Sequence, residues 1–262
     1  KNPKKIQEIP RLLFETLQYC STIEPLTESY PEITIDDAYE ISKRFLSLRE
    51  QNGEKIVGKK IGVTSDVVQK MLDVNQSDFG FLTDRMQIEN KSTYKISQQL
   101  IQPRAEAEIA FVLNEDLRGP GIRKEDVLSV TEKIFPCFEI VDSRINNWQI
   151  KIQDTIADNA SCGVFLLGDG LNYQNDYELD KLEVKVSKNG EYLSSGYGSA
   201  VQGHPAEAVA WLANTLGKYN IPLLKGEIIL SGSLVPLEPA IAGDHFYICL
   251  LYTSDAADDI AC

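Results

Sequence analysis

The stretch PRAEAEIAF, Pro103 to Phe111, decides how the middle of this chain folds. Its residues alternate between charged and apolar, which predicts a strand, because side chains two residues apart lie on one face. Arg104, Glu106 and Glu108 then share a face. Neighbouring carboxylates repel each other unless a proton or a cation lies between them, and a hard divalent cation suits that position. An exposed strand face that carries two glutamates is the competing interpretation.

Glu139 is the third candidate ligand. It interrupts FPCFEIV, Phe135 to Val141, which otherwise has the pattern of a buried strand. A buried carboxylate is costly unless it is paired or bound to a metal. Alternatively, Glu139 lies on an edge strand or pairs with Arg144. Together with Glu106 and Glu108 it would supply three carboxylates, which suit Mg²⁺ or Mn²⁺ better than Zn²⁺.

Lys60 lies in GKKIGV, Gly58 to Val63, a short strand pattern bounded by glycines where a ligand can approach the backbone. It could hold a substrate carboxylate or a developing enolate. A surface lysine is the alternative. The long mixed stretch from residue 64 to residue 80 could form a mobile lid, and Asp78 within it is a candidate acid or base.

Helical patterns precede most of the strand patterns. Thr34 is placed to cap an early helix, and Pro205 occupies the first turn of a late one. Helices followed mostly by strands indicate an α+β fold. We therefore expect an N-terminal helical subdomain at residues 1–55 and a β-rich metal-binding catalytic domain at residues 56–247.

Composition narrows the classes of function. The chain has 262 residues, of which 43% are hydrophobic, so a large core is feasible. A net charge of -13 disfavours nucleic acid as a partner. No apolar run approaches the roughly 20 residues that span a bilayer, and no signal peptide is visible. Five scattered cysteines without a CxxC pair suit a reducing compartment. We therefore expect a cytoplasmic protein without a membrane partner.

Six segments resemble the 2-oxopent-4-enoate (2-hydroxypentadienoate) hydratases of the fumarylacetoacetate hydrolase superfamily. They are KIGVTSDVVQKMLDVNQSDFG (Lys60 to Gly80), PRAEAEIAFVL (Pro103 to Leu113), FEIVDSRINNW (Phe138 to Trp148), DTIADNASCGVFLLG (Asp154 to Gly168), AVAWLANTLG (Ala208 to Gly217) and GEIILSGSLVPLEP (Gly226 to Pro239). Within the last segment, GSLVPLEP (Gly232 to Pro239) looks like the hydratases and unlike the related 4-oxalocrotonate decarboxylases.

The resemblance implies a fumarylacetoacetate-hydrolase-like roll of mixed β-sheets, preceded by a small helical part. It implies that Mg²⁺ or Mn²⁺ is bound by Glu106, Glu108 and Glu139, that Lys60 and Asp78 are catalytic, and that Lys60, Asn159 and Ser161 bind the substrate. It also implies a cytoplasmic homo-oligomer in aromatic-compound catabolism, with the downstream aldolase or the upstream decarboxylase as a further partner.

The implied reaction adds water to 2-hydroxypenta-2,4-dienoate (2-oxopent-4-enoate) and gives 4-hydroxy-2-oxopentanoate. Decarboxylation of 4-oxalocrotonate on the same metal is the alternative, and a non-catalytic oxo-acid-binding protein is a third, weaker one. Superfamily members that hydrolyse C–C bonds resemble each other in a His–Glu pair, and no such histidine precedes Lys60.

The chain departs from the family in two places. Lys59 stands where relatives commonly have an aromatic residue, so we expect an altered pocket wall. The resemblance stops near Phe246, and CLLYTSDAADDIAC, Cys249 to Cys262, matches nothing in the family and looks like translated adapter sequence. We therefore expect residues 248–262 to be a tail of foreign origin and the closing strand of the family to be missing.

Overall fold

The computed structural model describes residues 3–71, 73–175, 177–251 and 260–261. Within them the helices are α1 (Pro3–Tyr19), α2 (Leu26–Ser29), α3 (Ile35–Gln51), α4 (Asp66–Met71), α5 (Ile96–Gln99), α6 (Lys124–Ser129), α7 (Ile152–Ala157) and α8 (Pro205–Gly217). The strands are β1 (Ile56–Gly62), β2 (Asp78–Thr83), β3 (Arg104–Leu113), β4 (Thr131–Val141), β5 (Cys162–Leu167), β6 (Leu171–Asn172), β7 (Glu183–Lys188), β8 (Glu191–Tyr197), β9 (Ile228–Ser233), β10 (Glu238–Pro239), β11 (Phe246–Leu251) and β12 (Ile260–Ala261).

The N-terminal helices form a layer beside the sheets. The Thr34 side chain accepts a hydrogen bond from the Asp37 backbone N–H, which confirms the predicted start of α3. The helix buries Ile41 and Phe45 on its apolar face. It packs against α1 on one side and α7 on the other, and α7 leads into the segment that reaches the candidate site.

An eight-stranded sheet carries the candidate site. Its main path runs β2-β1-β9-β3-β4-β5, with β10 beside β3 and β6 beside β4. The pairing of β1 with β9 is parallel, and the other pairs are antiparallel. The α+β fold with mixed sheets is therefore confirmed.

A second sheet, in the order β12-β11-β7-β8, covers the apolar face of the first. Ala105 and Ala107 of β3 and Phe138 of β4 line this contact together with Val186 of β7. Because side chains alternate along a strand, the opposite face of β3 and β4 is left for the charged residues.

The C-terminal region corrects one expectation. Strand β11 pairs with β7 over six residues, from Phe246 opposite Lys188 to Leu251 opposite Glu183, and Ile248 and Leu250 are buried. The expectation that no strand closes the fold after Phe246 is therefore wrong. The proposed domain boundary before residue 248 falls inside β11, while residues 252–259 and 262 lie outside the described part of the chain. No helix among the described residues has the length and apolar character needed to cross a membrane.

Candidate metal centre

The register of β3 against β4 brings the three predicted ligands together. Glu106 lies directly opposite Glu139, and Glu108 lies opposite Cys137. One carboxylate oxygen of each glutamate lies within 4.8 Å of the other two. Glu108 and Glu139 are fully buried and Glu106 is half-buried, so this is not an exposed strand face.

Several of these buried oxygens lack a hydrogen-bond donor. Glu108 Oε2 accepts a hydrogen bond from the Gly232 backbone N–H at 2.9 Å, but its Oε1 has no partner. Neither oxygen of Glu139 accepts a hydrogen bond; Lys60 Nζ lies 2.6 Å from Oε1, in ion-pair contact but outside hydrogen-bond geometry. Buried oxygens without donors are costly, and a bound cation would satisfy them. The donor set therefore fits a hard divalent ion.

The electrostatics of the cluster favour a cation as well. Burial, followed by the charge of Glu139, raises the pKa of Glu106 to about 7. Burial, then Glu139 and Glu106, raise the pKa of Glu108 well above its usual value. Glu106 and Glu108 therefore hold protons more tightly than ordinary glutamates in the absence of a metal, and a divalent ion would replace those protons.

Lys60 is 2% exposed, so the surface-lysine alternative does not hold. It donates a hydrogen bond to the Ala160 carbonyl at 2.9 Å, in addition to its ion pair with Glu139. Burial alone would lower the pKa of Lys60, but Glu139 and the other neighbouring negative groups raise it above its usual value. Lys60 therefore stays protonated beside the three carboxylates.

Asp78 lies on the same face as Lys60, because it is opposite Gly62 in the pairing of β1 with β2. A side chain at Gly62 would collide with the Asp78 carboxylate. Asp78 Oδ2 lies 3.5 Å from Thr155 Oγ1, and its Oδ1 has no hydrogen-bond partner. Burial raises the pKa of Asp78 to about 6, and Lys60 opposes this shift.

Ser161 and Asn159 belong to one short segment beside these residues. Ser161 Oγ lies 3.2 Å from Thr155 Oγ1 and so extends the polar chain from Asp78. The Asn159 amide donates to the Phe81 carbonyl at 2.9 Å and accepts from the Phe81 N–H at 2.8 Å. Asn159 thus ties the segment to β2, and its contact with a substrate stays a prediction.

Three groups of the site, two backbone groups and one threonine hydroxyl, could not be predicted from the sequence. The Ala160 carbonyl and the Gly232 N–H are backbone atoms, so no residue type marks them. Thr155 lies on α7 among buried neighbours, and only its spatial position next to Asp78 distinguishes it.

Two cationic side chains near the site, Arg144 and Lys59, form ion pairs with carboxylates other than the three candidate ligands. Arg144, the alternative partner for Glu139, is bonded instead to Asp158. Lys59 points away from Lys60 along β1 and lies 2.5 Å from Glu227, where it is 3% exposed. The expectation that Lys59 alters the pocket wall is therefore wrong, because strand alternation places it on the opposite face of the sheet.

The stretch predicted as a lid contains α4, and Leu72 within it lies outside the described residues. Gln69 Nε2 and Ser77 Oγ both donate to the Val63 carbonyl, at 3.0 and 3.1 Å. These bonds tie the middle and the end of the stretch to its start. Its mobility stays a prediction.

A cavity of about 860 Å³ lies elsewhere on the molecule. Phe138 and Ile140 line it, together with parts of residues 88–98 and 240–248. These two residues alternate with Glu139 on β4, so the cavity faces the side of the sheet opposite the carboxylates. The cavity is therefore separate from the carboxylate cluster.

Comparison with known proteins identifies the family of the chain. The fumarylacetoacetate (FAA) hydrolase C-terminal family matches residues 69–255, which extends beyond Phe246, where we expected the resemblance to stop. The 2-hydroxyhexa-2,4-dienoate hydratase of Comamonas testosteroni is 60% identical over 235 residues, 89% of each chain. The 2-hydroxypent-2,4-dienoate hydratase of Pseudomonas putida is 52% identical over 216 residues, 82% of this chain and 97% of that one.

Among solved structures, the 4-oxalocrotonate decarboxylase of Pseudomonas putida G7, complexed with magnesium and adipate, matches with a TM-score of 0.91. Its sequence is 31% identical, and 95% of each chain is covered. The chain therefore belongs to the 2-hydroxypentadienoate hydratase family within the fumarylacetoacetate hydrolase superfamily.

Proposed function

We propose that this protein is a metal-dependent hydro-lyase that adds water to 2-hydroxypenta-2,4-dienoate and gives 4-hydroxy-2-oxopentanoate. One observation carries the proposal: three carboxylates converge beside a buried, protonated lysine, and two of them, Glu108 and Glu139, are fully buried with oxygens that lack hydrogen-bond donors. The identity of 60% and 52% to two dienoate hydratases supports the substrate class.

Glu106, Glu108 and Glu139 would hold Mg²⁺ or Mn²⁺. The neighbouring decarboxylase structures contain magnesium in one case and calcium in another, so hard cations bind this fold. When bound, the ion supplies Lewis-acid charge that stabilises negative charge on a chelating 2-oxo or 2-hydroxy acid. Three protein carboxylates leave coordination positions for two substrate oxygens and water.

Lys60 would stabilise the negative charge that develops on the substrate. Its pKa is raised, so it carries a full positive charge at neutral pH, and it is fixed between the Ala160 carbonyl and Glu139. A charge held in a water-excluded position acts on a developing anion more strongly than one in bulk water.

Asp78 would transfer protons or orient the attacking water. A pKa of about 6 lets it exchange a proton near neutral pH, which is the range a general acid–base group needs. Its Oδ1 has no hydrogen-bond partner and is free to accept from a water or a substrate hydroxyl. Ser161, linked to Asp78 through Thr155, would line the substrate pocket.

Decarboxylation of 4-oxalocrotonate is the second candidate. The match to the Pseudomonas putida decarboxylase, with a TM-score of 0.91, favours it. The higher identity to the hydratases, 60% against 31%, favours hydration. A non-catalytic oxo-acid-binding protein would bind oxalate without turning over either substrate.

Loss of dienol absorbance, followed with and without Mg²⁺ or Mn²⁺, tests the proposal. We expect a metal-dependent decrease for 2-hydroxypenta-2,4-dienoate without release of CO₂. Release of CO₂ from 4-oxalocrotonate, with no hydration of the dienol, would establish the decarboxylase instead. Oxalate binding without turnover of either substrate would favour the non-catalytic alternative.

We also propose that the protein works in the cytoplasm as a homo-oligomer in aromatic-compound catabolism. The identity of 60% and 52% to two dienoate hydratases supports the catabolic role. Association with the upstream decarboxylase would deliver the dienol to this active site, and association with the downstream aldolase would pass on 4-hydroxy-2-oxopentanoate. Size-exclusion chromatography with light scattering tests the oligomer, and co-purification tests the complexes.

A further inference from the structure

Residues 159–161 have an unusual backbone. Asn159, Ala160 and Ser161 have φ angles of 55, 50 and 53°, all in the left-handed region, and none of them is glycine. The left-handed conformation is unfavourable for residues with a side chain, and a run of three needs strong compensation from its surroundings. This segment supplies the carbonyl that binds Lys60 and the hydroxyl of Ser161.

Arg144 and Asp158 supply part of that compensation. Both side chains are fully buried, and Arg144 Nε donates to Asp158 Oδ1. The Arg144 backbone N–H donates to Asp158 Oδ2 at 2.8 Å. The guanidinium also donates to the Asp158 carbonyl at 2.8 Å and to the Cys162 carbonyl at 3.2 Å. One side chain therefore joins the two residues that flank the left-handed segment.

The opposite side of the segment is held by β2. A Cβ atom at Gly80 would lie 2.6 Å from the Asn159 carbonyl oxygen, so glycine permits this close approach. The Asn159 side chain then bonds both backbone groups of Phe81. The segment is thus fixed from two sides, by Arg144 and by β2.

We propose that Arg144 and Asp158 are positioning residues for Lys60. They hold residues 159–161 in the left-handed conformation, which aims the Ala160 carbonyl at Lys60 Nζ. Without them the segment relaxes, and Lys60 keeps only its ion pair with Glu139, a carboxylate that would also bind the metal. This inference rests on the role proposed for Lys60 in hydration.

A buried ion pair could instead serve folding alone, so the test needs a matched control. Arg49 and Glu54 form such a pair, 2.9 Å apart, with side chains 6% and 5% exposed. Glu54 bonds Thr83 and has no hydrogen bond to residues 159–161. Asp158→Asn and Glu54→Gln therefore make the same chemical change in two buried pairs, only one of which is hydrogen-bonded to the backbone that flanks the segment.

Steady-state kinetics at saturating Mg²⁺, expressed per folded molecule, is the first measurement. We expect Asp158→Asn to lower kcat by about 10- to 100-fold, the scale of a misplaced catalytic group. Mg²⁺ affinity should change by less than about three-fold, because the ligands lie on β3 and β4. Glu54→Gln should keep kcat within about two-fold even if its stability falls more. Equal kcat in the two variants would overturn the inference.

A second substitution tests the strain directly. Glycine adopts the left-handed conformation without penalty, so adding Ala160→Gly to Asp158→Asn should restore kcat by roughly five-fold or more. A double variant no faster than Asp158→Asn would contradict the inference. If Asp158→Asn does not fold, Arg144→Lys, which keeps the charge but loses the forked geometry, takes its place.

The last measurement does not depend on the proposed activity. Acetylation of Lys60 by acetic anhydride, quantified by peptide mass spectrometry, reports whether its ammonium group is still held. We expect labelling to rise at least about five-fold in Asp158→Asn and not in Glu54→Gln. A wild-type protein that does not hydrate the dienol overturns the proposed function. Unchanged Lys60 labelling in Asp158→Asn overturns the positioning role.

Discussion

Glu106 and Glu139 face each other directly across the antiparallel pair of β3 and β4. Side chains opposite each other in such a pair are close neighbours, and like charges there are destabilising. The chain places a third carboxylate, Glu108, two residues along β3 on the same face. The fold therefore maintains an arrangement that opposes its own stability and that a bound cation would relieve.

Replacing Glu108 by Gln should weaken Mg²⁺ binding but increase the stability of the metal-free protein. We expect Mg²⁺ affinity to fall at least about 100-fold, because a ligand is lost. The metal-free protein should become more stable by about 1 kcal/mol near pH 7, because a buried glutamine does not need the proton uptake that the raised pKa of Glu108 demands on folding. Calorimetric titration and urea unfolding measure the two effects. A metal-free variant that is clearly less stable than wild type would argue against this proton uptake.

Metal affinity should depend on pH. The pKa of Glu106 is raised to about 7 from its ordinary value of 4.5, so protons compete with the cation below pH 7. We expect the Kd for Mg²⁺ to weaken by about ten-fold or more between pH 8 and pH 6. Titrations at the two pH values measure this, and an unchanged Kd would contradict it.

The raised pKa of Glu106 also predicts how the stability of the metal-free protein depends on pH. Between pH 4.5 and about 7 the folded protein binds a proton at Glu106 that the unfolded chain has released. Stability conferred by this group is therefore lost as pH rises through that window. Thermal unfolding in EDTA should show a higher Tm at pH 5 than at pH 7.5. The Glu106→Gln variant isolates the contribution, since its pH dependence should be shallower.

Lys60 and its neighbour Lys59 form a matched pair for mutation, since both are buried and they lie on opposite faces of β1. Lys60→Met should lower kcat by about 10²- to 10³-fold, the scale for losing one charge-stabilising donor. Lys59→Met should leave Glu227 without its cation and lower the free energy of unfolding by about 2–3 kcal/mol, with little change in kcat per folded molecule. Dienol absorbance and thermal unfolding provide both measurements. Similar kcat values for the two variants would refute the proposed role of Lys60.

Strand β11 offers a test of the C-terminal region. Leu250 is fully buried, whereas Tyr247 on the same strand is 57% exposed. Leu250→Asp should destabilise the protein by about 3 kcal/mol or more, because a charge enters the core. Tyr247→Asp should stay within about 1 kcal/mol of wild type. Urea unfolding distinguishes them, and equal stabilities would show that residues 246–251 are not part of the folded core.

Strand alternation made much of the site predictable from the sequence. The period of two along β3 placed Glu106 and Glu108 on one face, and the apolar surroundings of Glu139 indicated burial. Both inferences depend on local pattern alone, which is where sequence reasoning is strongest. The same alternation also separates Lys59 from Lys60, although the sequence alone led us to expect Lys59 at the pocket.

Long-range pairings could not be predicted in the same way. The partner of Arg144 proved to be Asp158 rather than Glu139, and the left-handed run at residues 159–161 has no glycine to mark it. Likewise, β11 was missed because the pairing that stabilises it, with β7, is a tertiary contact. Such features arise from packing that overrides local propensity.

The parallel pairing of Gly58–Lys60 with Ile228–Leu230 also affects biosynthesis. During translation, β1 emerges first, and its partner on that side, β9, is synthesised 170 residues later, because Gly58 pairs with Ile228. Until then the strand that carries Lys60 has an open edge, and unpaired edges invite association with other chains. Pairings between distant segments also form slowly. Newly made chains should therefore be most vulnerable to aggregation, and most dependent on chaperones, in the interval before β9 is released.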